Sequence, residues 1–405
     1  MISKFNCLRT ARLAARHPCR RGFATAQPSR PDFVRIVEVG PRDGLQNEKQ
    51  SIPVATKIEL VKRLAQTGLT TIEAGSFVAP KWVPQVRHGF NSLLQRILLT
   101  VGQMANSSEI LENILASNPR STHPITYQWL LPNARGLDNF LSVWQSKSTG
   151  QSAYPTPPPS PVAEDSPAPN TSSQDPNAMP STSPGADGSA PRHELSIFTA
   201  ATETFTQTNT NCSIAESLQR FEPIMARAKE LGLNVRAYIS VALGCPFEGP
   251  DVDPHKVANL AVSLLEMGAD EISVADTTGM GTAPKTAELL KTLTAAGVEN
   301  ADLALHFHDT YGQAMVNSVV ALEHGIRTFD SAVAGLGGCP FSPGATGNVS
   351  TEDLIHCFHS LGARTGVDIE KLSEVGEWIS GELGRANESR AGKATMAQLR
   401  KRRAQ

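Results

Sequence analysis

Asp302-Leu-Ala-Leu-His-Phe-His-Asp309, then Gly312-Gln-Ala-Met-Val-Asn-Ser-Val-Val-Ala-Leu-Glu-His324, then Thr328-Phe-Asp-Ser-Ala-Val333 reads as one strand, one helix and a second strand. The apolar runs at 302–306 and 328–333 are of strand length, and the stretch between them is amphipathic at helical period. Two strands joined through a helix run parallel, because the helix carries the chain back to the same edge. The same alternation extends outward through the chain. Strand patterns lie at 34–39, 71–74, 125–131, 194–200, 234–241 and 271–274, and helical patterns at 55–66, 214–231, 254–267 and 284–295. Eight βα units over roughly 250 core residues predict a closed TIM (β/α)8 barrel, here with a short C-terminal helical extension and a disordered insertion. A doubly wound open sheet is the alternative, but no G-x-G-x-x-G follows the first strand.

The chain has 405 residues and a formal net charge of −2, which makes neither nucleic acid nor a charged membrane surface an expected partner. Six scattered cysteines without CxxC spacing give no disulfide framework and no zinc site. Residues 1–30 carry six arginines and one lysine and no acid, the composition of a mitochondrial transit peptide, so a mitochondrial matrix location is expected. The barrel domain is expected over 31–385, with a tail at 386–405. Two segments interrupt the rhythm. Residues 146–192 are rich in Pro, Ser, Thr, Ala and Gly and read as a disordered insertion. Residues 86–103 open with Val-Arg and end in Gln, which fits either a translated intron or an extra amphipathic helix.

In a barrel of this kind the C-terminal strand ends converge on one mouth. The first strand runs into Arg42-Asp43-Gly-Leu-Gln46, the second closes at Glu73, the fifth contains Arg236, the sixth closes at Asp276 and the seventh gives His306-x-His308-Asp309. Alternation along a strand puts both imidazoles on one face. With Asp43 and Asn348 they form two nitrogen and two oxygen donors and leave coordination positions open, a set suited to Mg2+ or Mn2+. Asp309 either orients an imidazole or caps the next helix. Arg42 beside Asp43 is suited to stabilising an oxyanion, with Glu73 either holding the guanidinium or steering a substrate hydroxyl proton. The eighth strand leads into 333–348, whose five glycines and two prolines exclude helix. That loop carries Cys339 and ends at Asn348, and Glu352 follows where it can brace Asn348.

These residues resemble the 3-hydroxy-3-methylglutaryl-CoA lyase family. The carrying motifs are Val39-Gly-Pro-Arg-Asp-Gly-Leu-Gln-Asn-Glu48, Ser76-Phe-Val-Ala-Pro-Lys-Trp-Val-Pro-Gln85, His306-Phe-His-Asp-Thr-Tyr-Gly-Gln313 and Gly335-Leu-Gly-Gly-Cys-Pro340 with Gly347-Asn348. The resemblance implies a divalent ion on Asp43, His306, His308 and Asn348, Arg42 stabilising a thioester enolate, and Cys339 as the acid/base group. His308 or Asp43 would take the hydroxyl proton. The resemblance also implies that Gln46, Arg236 and Asp276 face substrate with Arg42, and that Glu73 and Glu352 belong to the site. Family members cleave an acyl-CoA in leucine breakdown and ketone-body formation, often as homodimers. A related synthase of the same superfamily, condensing acetyl-CoA with a 2-oxo acid, is the alternative, but too few residues follow Glu370 for its regulatory domain. Phe307, where many relatives have cysteine, is expected to face away from the ion. A form inactivated by residues 86–103 is the other alternative.

Overall fold

The computed structural model describes residues 33–46, 48, 50–77, 106–121, 123–148, 191–337 and 347–405. Each apolar run that the sequence marks forms a strand: β1 (Arg35–Glu38), β2 (Thr71–Ser76), β3 (Thr126–Leu130), β4 (Arg192–Ala200), β5 (Asn234–Ser240), β6 (Glu271–Asp276), β7 (Leu303–Phe307) and β8 (Thr328–Ser331). All pair in parallel with their chain neighbours, and β1 pairs with β8 from Arg35 opposite Thr328, so the sheet closes into a barrel. A closed sheet has no free edge, and every strand is covered on both faces, so polar strand residues such as Glu73, Gln128, Arg236, Ser273 and Asp330 are buried along with the apolar ones.

The helices form the outer ring: α1 (Val54–Ala65), α2 (Ser107–Ser117), α3 (Ala134–Ser148), α4 (Glu203–Thr210), α5 (Ile214–Leu231), α6 (Pro254–Met267), α7 (Ala283–Ala295), α8 (Ala314–Glu323) and α9 (Thr351–Ser360). Their ends follow local chemistry. Ser213 and Glu216 form a reciprocal capping box on α5, and Asp253 accepts from His255 N–H at the start of α6. None of the helices among the described residues is long and apolar enough to cross a membrane.

The tail expected at 386–405 is a helix. α10 (Ile369–Glu382) and α11 (Arg390–Arg403) form a hairpin in which Arg400, Arg402 and Arg403 pair with Glu377, Glu370 and Glu374. The opposite charges fall one helical turn apart on facing helices, a pattern that a search for apolar periodicity passes over. The start of α11 is tied to the barrel by Asp353, whose carboxylate accepts from Ser389 Oγ at 2.9 Å and Ala391 N–H at 2.6 Å.

The transit-peptide residues 1–30, the segment 86–103 and most of 146–192 lie outside the described residues. The flanks of the last two are informative. α3 ends and β4 begins at the N-terminal end of the barrel, opposite the strand ends that carry the polar residues. At the other break, Ser107 Oγ donates to the Ser76 carbonyl at 2.8 Å and accepts from Ser76 N–H at 2.9 Å, so α2 is stitched to the end of β2. Gly75 is required there, because a Cβ would lie 2.7 Å from Ser107 Oγ. A connection whose two feet are bonded to each other is tolerant of length change. Deleting residues 86–103 is therefore expected to leave the thermal midpoint within a few degrees, which calorimetry measures; loss of cooperative unfolding would contradict it.

Candidate active site

The site begins where β1 ends. Glu38 is fully buried and accepts from Gly40 N–H at 2.8 Å, from Val333 N–H at 2.9 Å and from Thr351 Oγ at 2.7 Å. Over Gly40–Gly44 the chain then makes a single π turn, with Gly44 N–H bonded to the Val39 carbonyl. Such turns are rare and concentrate at functional sites. This one sets Arg42 and Asp43 side by side over the barrel mouth.

Arg42 donates through Nη1 to Asp43 Oδ1 at 2.7 Å, and its Nη2 forms an ion pair with Glu73 Oε2 at 2.6 Å. Its guanidinium lies 5.7 Å from the centre of the Tyr238 ring, and Gln46 Oε1 is 3.5 Å from Nη1. Burial works against the Arg42 charge, but Glu73 and Asp43 outweigh it and keep the group firmly protonated. A one-residue shift in the β2–β3 pairing between Glu73 and Gly75 re-aims β2 at this point. Burial raises the Glu73 carboxyl, with Arg42 pulling the other way.

Asp43, His306 and His308 each offer a ligand atom, and all three atoms lie within 4.8 Å of one another. The imidazole centres are 5.1 Å apart. Burial opposes the Asp43 charge, yet Arg42 and the two imidazoles hold its carboxyl down at about 2. Burial and the neighbouring His306 push His308 down to about 3, so it is neutral and able to ligate. Asn348 reaches in from the far side of the loop after β8. Its Nδ2 donates to Asp43 Oδ2 at 2.9 Å and to the Leu336 carbonyl at 3.0 Å.

That arrangement leaves two buried polar atoms, Asn348 Oδ1 and His308 Nδ1, with no hydrogen-bond partner among the described residues. An orphaned buried acceptor costs about 1–3 kcal/mol, so two at one point call for an electrophile. Two imidazoles, a carboxylate and an amide oxygen in one place suit a divalent cation. Phe307, between the two histidines, is packed in the hydrophobic core on the opposite face, as expected.

The ends of the glycine-rich loop are close-packed. Gly337 has φ +109, and a Cβ there would lie 2.4 Å from Asn348 Nδ2. Gly347 has φ +127, and a Cβ would meet the Gly335 carbonyl at 2.5 Å. No residue but glycine fits either position. Cys339 lies outside the described residues. Glu352 braces the loop's first turn rather than Asn348 itself: its carboxylate accepts from Ala334 N–H at 2.9 and 3.1 Å and from Ser350 Oγ at 3.0 Å.

Glu38 and Glu352 thus hold successive N–H groups, Val333 and Ala334, at the root of that loop. Burial raises Glu38 from 4.5 to about 7 and Glu352 from 4.5 to about 8. The folded chain therefore holds these protons more tightly than the unfolded chain, and stability falls as pH rises through that window. The thermal midpoint is expected to drop between pH 5 and pH 8, and Glu38→Gln, which keeps the Oε1 acceptor, is expected to flatten the slope. A variant with an unchanged slope would refute the assignment.

Three of the residues named from sequence are committed to protein partners. Asp309 Oδ1 accepts from Ala314 N–H at 3.1 Å at the start of α8, the second of the two roles expected for it. Asp276, expected to face substrate, turns into its own β6–α7 loop and accepts from Gly281 N–H at 2.8 Å and Thr278 Oγ at 3.3 Å. Arg236, also expected at the substrate, is fully buried on β5, with Nη2 at 2.5 Å from Asp330 Oδ1. Sequence reasoning passed over Asp330, Tyr238 and Glu38. A lone carboxylate inside the apolar run 328–333 was the available signal for Asp330.

Fold and site together define a (β/α)8 enzyme with a cation centre and a buried arginine at the mouth of its barrel. The HMGL-like family model matches residues 183–379. The hydroxymethylglutaryl-CoA lyase of Pseudomonas mevalonii is 42% identical over 90% of this chain and 97% of its own. The mitochondrial hydroxymethylglutaryl-CoA lyase of Rattus norvegicus is 39% identical over 95% of this chain and 96% of its own. Among solved structures, the hydroxymethylglutaryl-CoA lyase of Pseudomonas aeruginosa superposes with a TM-score of 0.70 at 41% identity, covering 91% of this chain and 99% of that one. The chain belongs to the hydroxymethylglutaryl-CoA lyase family, a family of carbon–carbon lyases with bacterial as well as mitochondrial members.

Proposed function

We propose that the protein cleaves 3-hydroxy-3-methylglutaryl-CoA to acetyl-CoA and acetoacetate, with Asp43, His306, His308 and Asn348 holding Mg2+ or Mn2+. The observation that carries this reading is the convergence of three ligand atoms within 4.8 Å beside the orphaned Asn348 Oδ1. The bound ion would act as a Lewis acid that lowers the pKa of the substrate hydroxyl and fixes its orientation.

The residues supply the rest. The C3 hydroxyl proton has two acceptors within the cluster, the Asp43 carboxylate and the His308 imidazole. As the C2–C3 bond breaks, its electron pair moves through C2 onto the thioester oxygen, and C3 becomes the ketone of acetoacetate. Arg42 is the buried donor for that oxygen, clamped by Glu73 so that no reorientation is needed when charge appears. A proton delivered to C2 completes acetyl-CoA, and Cys339, on the loop rooted by Glu38 and Glu352, is the donor. Gln46 lies beside Arg42 at the mouth, where it can meet substrate. Asp276 and Arg236 contribute from behind, through the loop after β6 and through Asp330.

Acetoacetate release from 3-hydroxy-3-methylglutaryl-CoA tests the reading, measured on chelator-treated protein and again after adding Mg2+ or Mn2+. Activity that is lost and then restored is the expected result, and cleavage that ignores the chelator would overturn the cation's role. Running the assay with and without residues 86–103 separates an inactive form from an inactive site. Cys339→Ala is expected to lower kcat by about 10²–10⁴-fold while Mn2+ affinity stays unchanged; turnover at the parent rate would remove the thiol from the reaction. The basic stretch at 1–30 supports the mitochondrial matrix as the location, and the family resemblance supports a homodimer, which sedimentation measures.

A further inference from the structure

His306 needs its ring held so that one nitrogen faces Asp43 and His308. Asp309, the nearest carboxylate in sequence, is spent on the start of α8. Asp330 takes that place from the neighbouring strand, β8, where it lies opposite His306. It sits within β8 with its side chain wholly buried, and its two oxygens divide three partners. Oδ1 accepts from Arg236 Nη2 at 2.5 Å, and Oδ2 accepts from Ser273 Oγ at 2.9 Å and lies 3.3 Å from His306 Nδ1.

An ionised carboxylate is an acceptor only, so the third contact is a hydrogen bond only if His306 carries its proton on Nδ1. The lone pair is then on Nε2, at the other end of the ring. Arg236 cannot leave the pair easily. Its Nε lies 3.3 Å from Glu271 Oε1, Glu271 is in turn bonded to Arg35, and the guanidinium stacks 5.1 Å from the Tyr238 ring centre. A charge pair buried this completely is costly to form, and it persists where it fixes something.

We propose that Asp330, locked by Arg236, is the positioning residue of the cation centre: it fixes His306 with Nδ1–H turned inward and the Nε2 lone pair turned toward Asp43, His308 and Asn348. This rests on the ligand set proposed above. Outer partners of ligating histidines typically change metal affinity by about 10–100-fold when removed.

Metal-free full-length protein and its Asp330→Asn variant would be titrated with Mn2+, with the free ion followed by electron paramagnetic resonance. The parent is expected to bind, and the variant is expected to bind about 10–100-fold more weakly while its thermal midpoint moves only a few degrees. Equal affinity in parent and folded variant overturns the inference. A parent that binds no Mn2+ overturns the ligand set instead, which keeps the two failures apart. Should the variant fail to fold, ring 15N shifts of the metal-free parent decide, with His306 assigned by its missing signal in His306→Asn. An Nδ1–H tautomer supports the inference, and an Nε2–H tautomer overturns it.

Discussion

Replacing Arg42 by methionine is expected to lower kcat about 10²–10³-fold while leaving Mn2+ affinity within a few-fold of the parent. The magnitude follows from where the guanidinium stands. It is held by a carboxylate on each side, Asp43 at 2.7 Å and Glu73 at 2.6 Å, and is largely out of water. A donor fixed in this way stabilises charge that appears only as the carbon–carbon bond opens, so its loss acts on kcat more than on KM. Methionine keeps the length and apolar volume of the side chain, which limits the disturbance to packing. It leaves Glu73 buried without its cation, and because burial already raises that carboxyl, Glu73 is expected to take up a proton rather than unfold the barrel. Steady-state kinetics beside a Mn2+ titration checks the prediction. A variant that loses metal binding as well as turnover would show that Arg42 works through Asp43 and not on the substrate.

The contrast between Asp309 and Asp330 shows which parts of this site are legible in sequence. Strand ends are legible, because a short apolar run that stops at a polar residue is a local pattern, and in a parallel barrel every such stop lies at one mouth. Arg42, Asp43, His306 and His308 were singled out that way, and the fold brings them together. The partner of an imidazole is not a local property. Asp309 adjoins His308 in sequence, but the chain turns immediately into α8 and its carboxylate is taken by the helix start. Asp330 is 24 residues from His306 and reaches it only because β7 and β8 are paired with His306 opposite Asp330. The partners of Asp276 and Arg236 were not legible either: Asp276 accepts from Gly281 and Thr278 of its own loop, and Arg236 pairs with Asp330 on another strand, in the layer below the mouth. A short C-terminal helical extension was expected, but the charges that dock its last helix were not legible, because they lie on a facing helix and form no apolar stripe.

Replacing Asp43 by alanine is expected to abolish tight Mn2+ binding and, with it, turnover. Among the four proposed ligands Asp43 is the only anion; two imidazoles and an amide remain, and a neutral set holds a hard dication poorly in competition with water. The carboxylate also organises its neighbours. Oδ2 accepts from Asn348 Nδ2 at 2.9 Å, which turns Asn348 Oδ1 toward the centre, and Oδ1 receives Arg42. Without it the Asn348 side chain keeps the Leu336 carbonyl as its one hydrogen-bond partner among the described residues and can rotate. Asp43→Asn separates these roles, since an amide restores volume and one acceptor but no charge. If charge dominates, the asparagine variant binds Mn2+ nearly as weakly as the alanine variant; if orientation dominates, it recovers most of the affinity. Fold loss does not confound the comparison, because Asp43 is partly exposed at the mouth while the closed strand ladder lies beneath it. An alanine variant that binds Mn2+ as the parent does would move the cation elsewhere and leave the two imidazoles without the chemistry assigned to them.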